Sequence, residues 1–206
     1  MRTLVIDSAT EACSVALFDG DALIEGEHAM LGRGHAEQLV PMISRLPERG
    51  RADRIAVARG PGSFTGVRVG LAAARALALA WGARLVGYPS LALVAAMARE
   101  EQGVQPLAVA MTGGHGEWFV ERFDADGTSA CPLASLSPDD AAAQVPDSLV
   151  AGNQAIGLIE RRGHGKALPL WPGARSFALL PQAALGEEIA PIYGRAPDAK
   201  LPQVAR

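Results

Sequence analysis

A chain of 206 residues fits one large domain or two lobes of about 100 residues each, and either can bury a core. With 49% hydrophobic and 20% charged residues it has the balance of an ordered globular protein, which excludes a disordered one. A formal net charge of −3 gives the surface no strong field to draw in a polyanion, so direct RNA binding is disfavoured.

In chain order, Thr3 to Ile6 is a short apolar run that meets Asp7 before the apolar core of a signal peptide is complete. Cys13 and Cys131 lie in different halves without Cys-x-x-Cys spacing, which gives no support to a disulfide framework or a thiolate zinc site; two buried free thiols in a reducing cytosol are expected. Ser14 to Phe18 is a second strand, closed by the turn pair Asp19-Gly20, and Ala22 to His28 is a third. From Ala36 to Leu46, Leu39, Met42, Ile43 and Leu46 recur at three and four residues and share one helix face. Pro41 sits inside that pattern, so either the helix starts late or a bend is tolerated.

Arg54 to Ala58 reads as a strand, Gly60 to Gly66 as a loop, and Val67 to Trp81 as an alanine-rich helix stopped by Gly82. That apolar stretch is broken by Arg75 and is shorter than the ~20 residues of a membrane span, so a membrane role is not expected. Leu85 to Tyr88 is a strand, and Ser90 is placed to cap a helix running towards Glu101. The order is then β-β-β-α-β-α-β-α. After Gln102-Gly103 it starts again with Pro106 to Met111, Glu117 to Phe123, the turn Asp126-Gly127, a helix opened by Ser137-Pro138-Asp139-Asp140, and a strand from Leu149 to Ala151. This element-level echo predicts a duplicated α/β architecture with lobes at 1–102 and 103–206, the second one abbreviated. Gly152 to Arg206 reads as short helix-like pieces broken by Pro169, Pro172 and Pro181, with an irregular or strand-like end after Pro191.

The densest motif is Gly60-Pro61-Gly62-Ser63-Phe64-Thr65-Gly66, between a strand and a helix. It lacks the lysine of a Walker loop, its third glycine is one position late for a dinucleotide fingerprint, and its serine is not central as in a nucleophile elbow. The residues alone leave a packing device and a phosphate site equally open. His28, His35, His115 and His164 are scattered without the spacing of a metal site, and His35, at a helix start, suits a polar or capping role.

The run Gly60 to Gly70, the opening Asp7 to Ala16, the segment His35 to Ile43 and the late Pro191-Ile192-Tyr193-Gly194-Arg195 together resemble the TsaB family, formerly YeaZ. The resemblance implies an ASKHA fold (actin-like, Hsp70-like and sugar-kinase-like) of two β-β-β-α-β-α-β-α lobes. It implies a non-catalytic scaffold subunit that binds and supports TsaD, the enzyme placing threonylcarbamoyl on the adenosine beside the anticodon of ANN-decoding tRNAs. A TsaE-type ATPase joins that assembly, ATP and tRNA enter only at its level, and the lone subunit can form a homodimer. TsaD is similar through the glycine loop and then carries a histidine-rich metal motif; here Tyr88-Pro89-Ser90-Leu91 stands in its place, which implies neither metal nor catalytic residues of the chain's own. Where the family commonly has Asp-Ala-Arg, this chain has Thr112-Gly113-Gly114.

Nucleotide contact in such folds would fall on Asp7, Ser8 and Thr10, against the plainer reading of a strand-end acid satisfied by turn amides. The partner surface expected from the resemblance comprises Leu39, Met42, Ile43, Phe64, Arg68, Leu71 and Arg75, with Arg68 and Arg75 two turns apart on one helix. The competing class is an enzyme, either an ASKHA nucleotide hydrolase or a metallopeptidase, and a third reading is a self-associating module.

Overall fold

The computed structural model describes residues 1–194. Two five-stranded mixed sheets form its frame. The first is built from β1 (Arg2–Asp7), β2 (Ala12–Asp19), β3 (Ala22–Met30), β4 (Arg54–Ala58) and β5 (Arg84–Tyr88), in the order β3-β2-β1-β4-β5. The second contains β6 (Leu107–Thr112), β7 (Trp118–Phe123), β8 (Ser129–Leu136), β9 (Leu149–Ala151) and β10 (Lys166–Leu168), in the order β10-β9-β6-β7-β8. Adding five to each strand number of the first sheet reproduces the second, with the first three strands antiparallel and the last two joining in parallel. The duplication expected from element order is therefore present in topology and strand direction. The three-residue β10 is too short to show a period in the sequence and is set by its parallel register with β9.

On the first sheet lie α1 (His35–Arg45) and α2 (Phe64–Trp81), with α3 (Ser90–Gln102) between the sheets; α4 (Pro138–Gln144) and α5 (Ala155–Arg162) cover the second. Helix α1 starts at His35 and runs through Pro41, whose absent N–H falls on the exposed side, so the helix is not cut short. Ser137 caps α4 as expected, accepting from the Asp140 N–H at 3.1 Å. Ser90 does not cap α3. It is the first helical residue after Pro89, and its buried hydroxyl has no hydrogen-bond partner among the described residues. Helix α2 begins three residues earlier than expected because Ser63, accepting from the Gly66 N–H, caps it inside the glycine motif.

Helix α3 serves both cores. Leu93 and Ala96 join the cluster under the first sheet, while Leu91, Val94, Ala95 and Ala98 pack with Leu107, Val109 and Met111 of the second. Cys13 is buried as expected, but Cys131 is exposed on β8, where its sulfur accepts from Arg122.

Candidate functional site

Alternation along β1 decides what its end can do. Leu4 and Ile6 face the α1–α2 side, whereas Thr3, Val5 and Asp7 face the other. Asp7 is therefore turned away from the glycine loop and is 1% exposed. Its Oδ1 accepts from the Ala9 N–H at 3.1 Å and its Oδ2 from the Tyr88 hydroxyl at 3.2 Å. Burial pushes its pKa up to about 7 against the pull of those two hydrogen bonds. Asp7 is thus satisfied by a turn amide and a tyrosine, and it does not line the cleft described below.

Ser8 points the other way and is held by the glycine motif, donating to the Gly66 carbonyl at 2.9 Å, while the Ser63 N–H donates to the Ala9 carbonyl at 2.7 Å. A Cβ on Gly62 would strike the Ala9 carbonyl, and one on Gly66 the Ser8 carbonyl, both far inside van der Waals contact. Close approach of the loop to the β1–β2 turn thus accounts for Gly62 and Gly66. Gly62→Ala is expected to lower stability by about 2 kcal/mol, whereas Gly114→Ala, with nothing within 4 Å of the new carbon, should leave it unchanged; urea midpoints decide.

Between the sheets opens a cleft of about 650 Å³, in the size range of small-molecule sites. Thr10, Pro61, Gly62, Ser63, Phe64 and Arg68 line one side, Thr112, Gly113, Gly114 and Phe119 the other, and the late residues Ile192, Tyr193 and Gly194 close its mouth. Of the three residues expected to meet nucleotide, Thr10 alone lines it; Asp7 and Ser8 lie beneath the turn. A latch crosses the floor, where Glu11 Oε1 accepts from Asn153 Nδ2 and Trp171 Nε1, each at 2.7 Å. Burial works to raise the Glu11 pKa, but the donors Trp171 and Asn153 outweigh it and hold the carboxyl below its usual range. Asn153 and Gln154 also donate to Thr112 Oγ1, the hydroxyl that opens the Thr112-Gly113-Gly114 segment. Glu11→Ala should cost on the order of 1–2 kcal/mol and speed hydrogen exchange at Asn153 and Trp171, whereas Glu11→Gln, which keeps an acceptor, should cost less. His35 is buried, its Nε2 2.8 Å from the Thr10 carbonyl, and so steadies the same turn.

A strap of late residues ties the cleft mouth to the first sheet. Gly186 exchanges hydrogen bonds with Gly87 on the edge of β5, the Ile192 N–H donates to the Arg59 carbonyl, and Arg59 Nε donates to the Ala190 carbonyl. Arg75 reaches the Ile189 carbonyl at 2.8 Å and Arg68 the Tyr193 hydroxyl at 2.9 Å, while the Arg68 guanidinium lies 3.4 Å from the Phe64 ring centroid. Gly194 abuts the Phe119 ring of the second sheet. Arg195, the last residue of the late family segment, lies outside the described residues.

The seven residues expected at a partner surface separate into two groups. Leu39, Met42, Ile43 and Leu71 are 1 to 3% exposed and belong to the core under the first sheet, which corrects their assignment as surface anchors. Phe64, Arg68 and Arg75 are exposed on α2. The apolar surface left outside comes from residues off the inward stripe: Leu79 is 88% exposed, Phe64 60%, and Val40 on the adjacent α1 58%. With Ala72 they leave apolar side chains exposed on two neighbouring helices. By length and apolar composition α2 could cross a membrane, yet its glycine and alanine side lies on β1 and β4. Among the described residues, no three His, Cys, Asp or Glu side chains are grouped as metal ligands.

Paired sheets of this topology with a cleft between them define an ASKHA-type α/β protein, and the solved structure of EutJ from Carboxydothermus hydrogenoformans overlays with a TM-score of 0.53 at 12% identity, covering 88% of this chain and 90% of that one. Residues 29–152, more than half of the chain, match the family TsaD: tRNA N6-adenosine threonylcarbamoyltransferase. YeaZ from Pseudomonas aeruginosa overlays with a TM-score of 0.80 at 30% identity, covering 93% of this chain and 99% of that one. The tRNA threonylcarbamoyladenosine biosynthesis protein TsaB of Escherichia coli (strain K12) is 35% identical over 131 residues, 61% of this chain and 56% of that protein, so the chain spans little more than half of that relative. The chain belongs to the TsaB (YeaZ) family, within the wider TsaD group.

Proposed function

We propose that this chain acts in tRNA threonylcarbamoyladenosine biosynthesis as a non-catalytic subunit that binds and supports a TsaD-type transferase. The observation that carries this reading is the uncovered apolar face of α1 and α2, with Leu79 almost fully exposed on a helix whose other side is well packed. Each apolar anchor buried there would contribute about 1.5–3 kcal/mol, and a stable interface of this kind covers roughly 1,200–2,000 Å². In the lone chain the same face would pair with a second copy, which the transferase displaces. A TsaE-type ATPase completes the assembly, ATP and tRNA engage at that level, and the work is done in the cytosol. Residues 1–102 supply the partner helices, and the second sheet, from Leu107 to Leu168, belongs to the smaller lobe.

The buried position of Asp7 favours this reading over a nucleotide hydrolase, since the acid at the end of β1 is engaged by Ala9 and Tyr88. The cleft between the sheets is what favours the hydrolase. Reconstituted threonylcarbamoyl transfer separates them. Transfer that needs the chain, together with no ATP turnover by the chain alone, is the expected result; turnover by the isolated protein would replace the scaffold with the enzyme.

A further inference from the structure

We infer that the strap from Gly186 to Gly194 couples the interlobe cleft to the docking face of α2, so that a change at the cleft mouth alters how the transferase binds. The inference rests on the docking function proposed above and names the element that regulates it. Phe64, Arg68 and Tyr193 line the cleft, and Phe64 and Arg68 also stand at the start of the exposed α2 stripe Phe64, Arg68, Ala72, Arg75 and Leu79. That stripe recurs at spacings of four and three residues and so forms one continuous strip along the helix.

Both of its arginines are held by the strap, Arg68 through the Tyr193 hydroxyl and Arg75 through the Ile189 carbonyl. Neither has a carboxylate partner among the described residues, so their positions depend on the strap and, for Arg68, on stacking against Phe64. An arginine held in place before contact loses less side-chain entropy on docking than a free one. At its far end the strap rests Gly194 against Phe119 of the second sheet, where a single added carbon would collide with the ring. The strap therefore bridges the two lobes and touches both surfaces. Coupling of this kind is reciprocal, so docking on α2 also tightens the cleft mouth.

The test perturbs the strap at two points, at Gly194 away from α2 and at the Tyr193 hydroxyl where it meets Arg68. Gly194→Ala pushes the strap off Phe119, Tyr193→Phe removes only the hydroxyl that holds Arg68, and Gly114→Ala is a control in the same cleft with no neighbour within 4 Å. Transferase affinity is measured by titration, and amide exchange of the strap and the first turn of α2 is measured on the lone chain. Gly194→Ala and Tyr193→Phe should each weaken docking by about threefold to tenfold and speed exchange in the strap and at Thr65 to Arg68, with Gly114→Ala matching the unaltered chain. Docking by both variants within twofold of the unaltered chain would overturn the coupling. Unchanged exchange at Thr65 to Arg68 would overturn it as well, whatever the affinities are. Failure of the unaltered chain to bind the transferase, with the exchange effects present, would instead remove the docking function and leave the strap as a link within the lone chain.

Discussion

Asp7→Asn is expected to make the protein more stable at alkaline pH and to flatten its dependence on pH. The carboxyl is buried with no cation beside it among the described residues, and its folded pKa of about 7 stands well above the ordinary 3.8. A raised folded pKa means that the native state prefers the protonated acid. Its contribution is complete below the unfolded pKa and is lost as pH rises through about 7. The whole span corresponds to about 4 kcal/mol at 1.36 kcal/mol per unit, of which roughly 3 kcal/mol falls between pH 5 and pH 8.5. Asparagine fits the same frame: its oxygen accepts from the Ala9 N–H, its amide donates to the Tyr88 oxygen, and the Tyr88 hydroxyl turns to the Ile6 carbonyl at 3.3 Å. Urea unfolding of both proteins at the two pH values tests this. A parallel pH dependence in the two would show that Asp7 is not the buried acid responsible.

The second large effect separates α2 into two sides. Leu79→Glu should leave the melting temperature within a few degrees, because its side chain touches solvent, yet weaken transferase docking by at least about 100-fold, the equivalent of ~2.7 kcal/mol. Leu71→Glu should fail to give folded protein, since it drives a carboxylate into the core that also holds Leu39 and Ile43. Even Leu71→Ala should cost ~2–5 kcal/mol. Circular dichroism together with a pull-down on the purified transferase distinguishes the outcomes, and undiminished docking by Leu79→Glu would move the partner surface elsewhere.

The division of α1 and α2 shows how far the sequence could be read. Leu39, Met42 and Ile43 form a clear helical stripe, and such a stripe first satisfies the chain's own core. The residues left for a partner lie off it: Val40 stands alone on α1, and Leu79 falls on the mixed stripe of Phe64, Arg68, Ala72 and Arg75, whose two arginines hide its apolar character. Strands were legible where apolar runs end at Asp-Gly turns, as in β2, and α4 was legible from its serine, proline and paired acids. The glycine motif was visible as a motif, but its cause was not, because Gly62 and Gly66 answer to carbonyls at Ala9 and Ser8, more than fifty positions earlier. The Glu11 latch was out of reach for the same reason, its donors lying 142 and 160 residues away. Nothing local marks a residue whose neighbours are supplied only by the fold.

Because α3 contributes Leu91, Val94, Ala95 and Ala98 to one core and Leu93 and Ala96 to the other, severing the polypeptide at Gly103 would strip the later half of a whole wall. The later fragment would be left with Leu107, Val109 and Met111 uncovered on the side where those residues pack. Heating should accordingly melt both sheets in one cooperative transition, with a single calorimetric peak whose enthalpy matches its van't Hoff value.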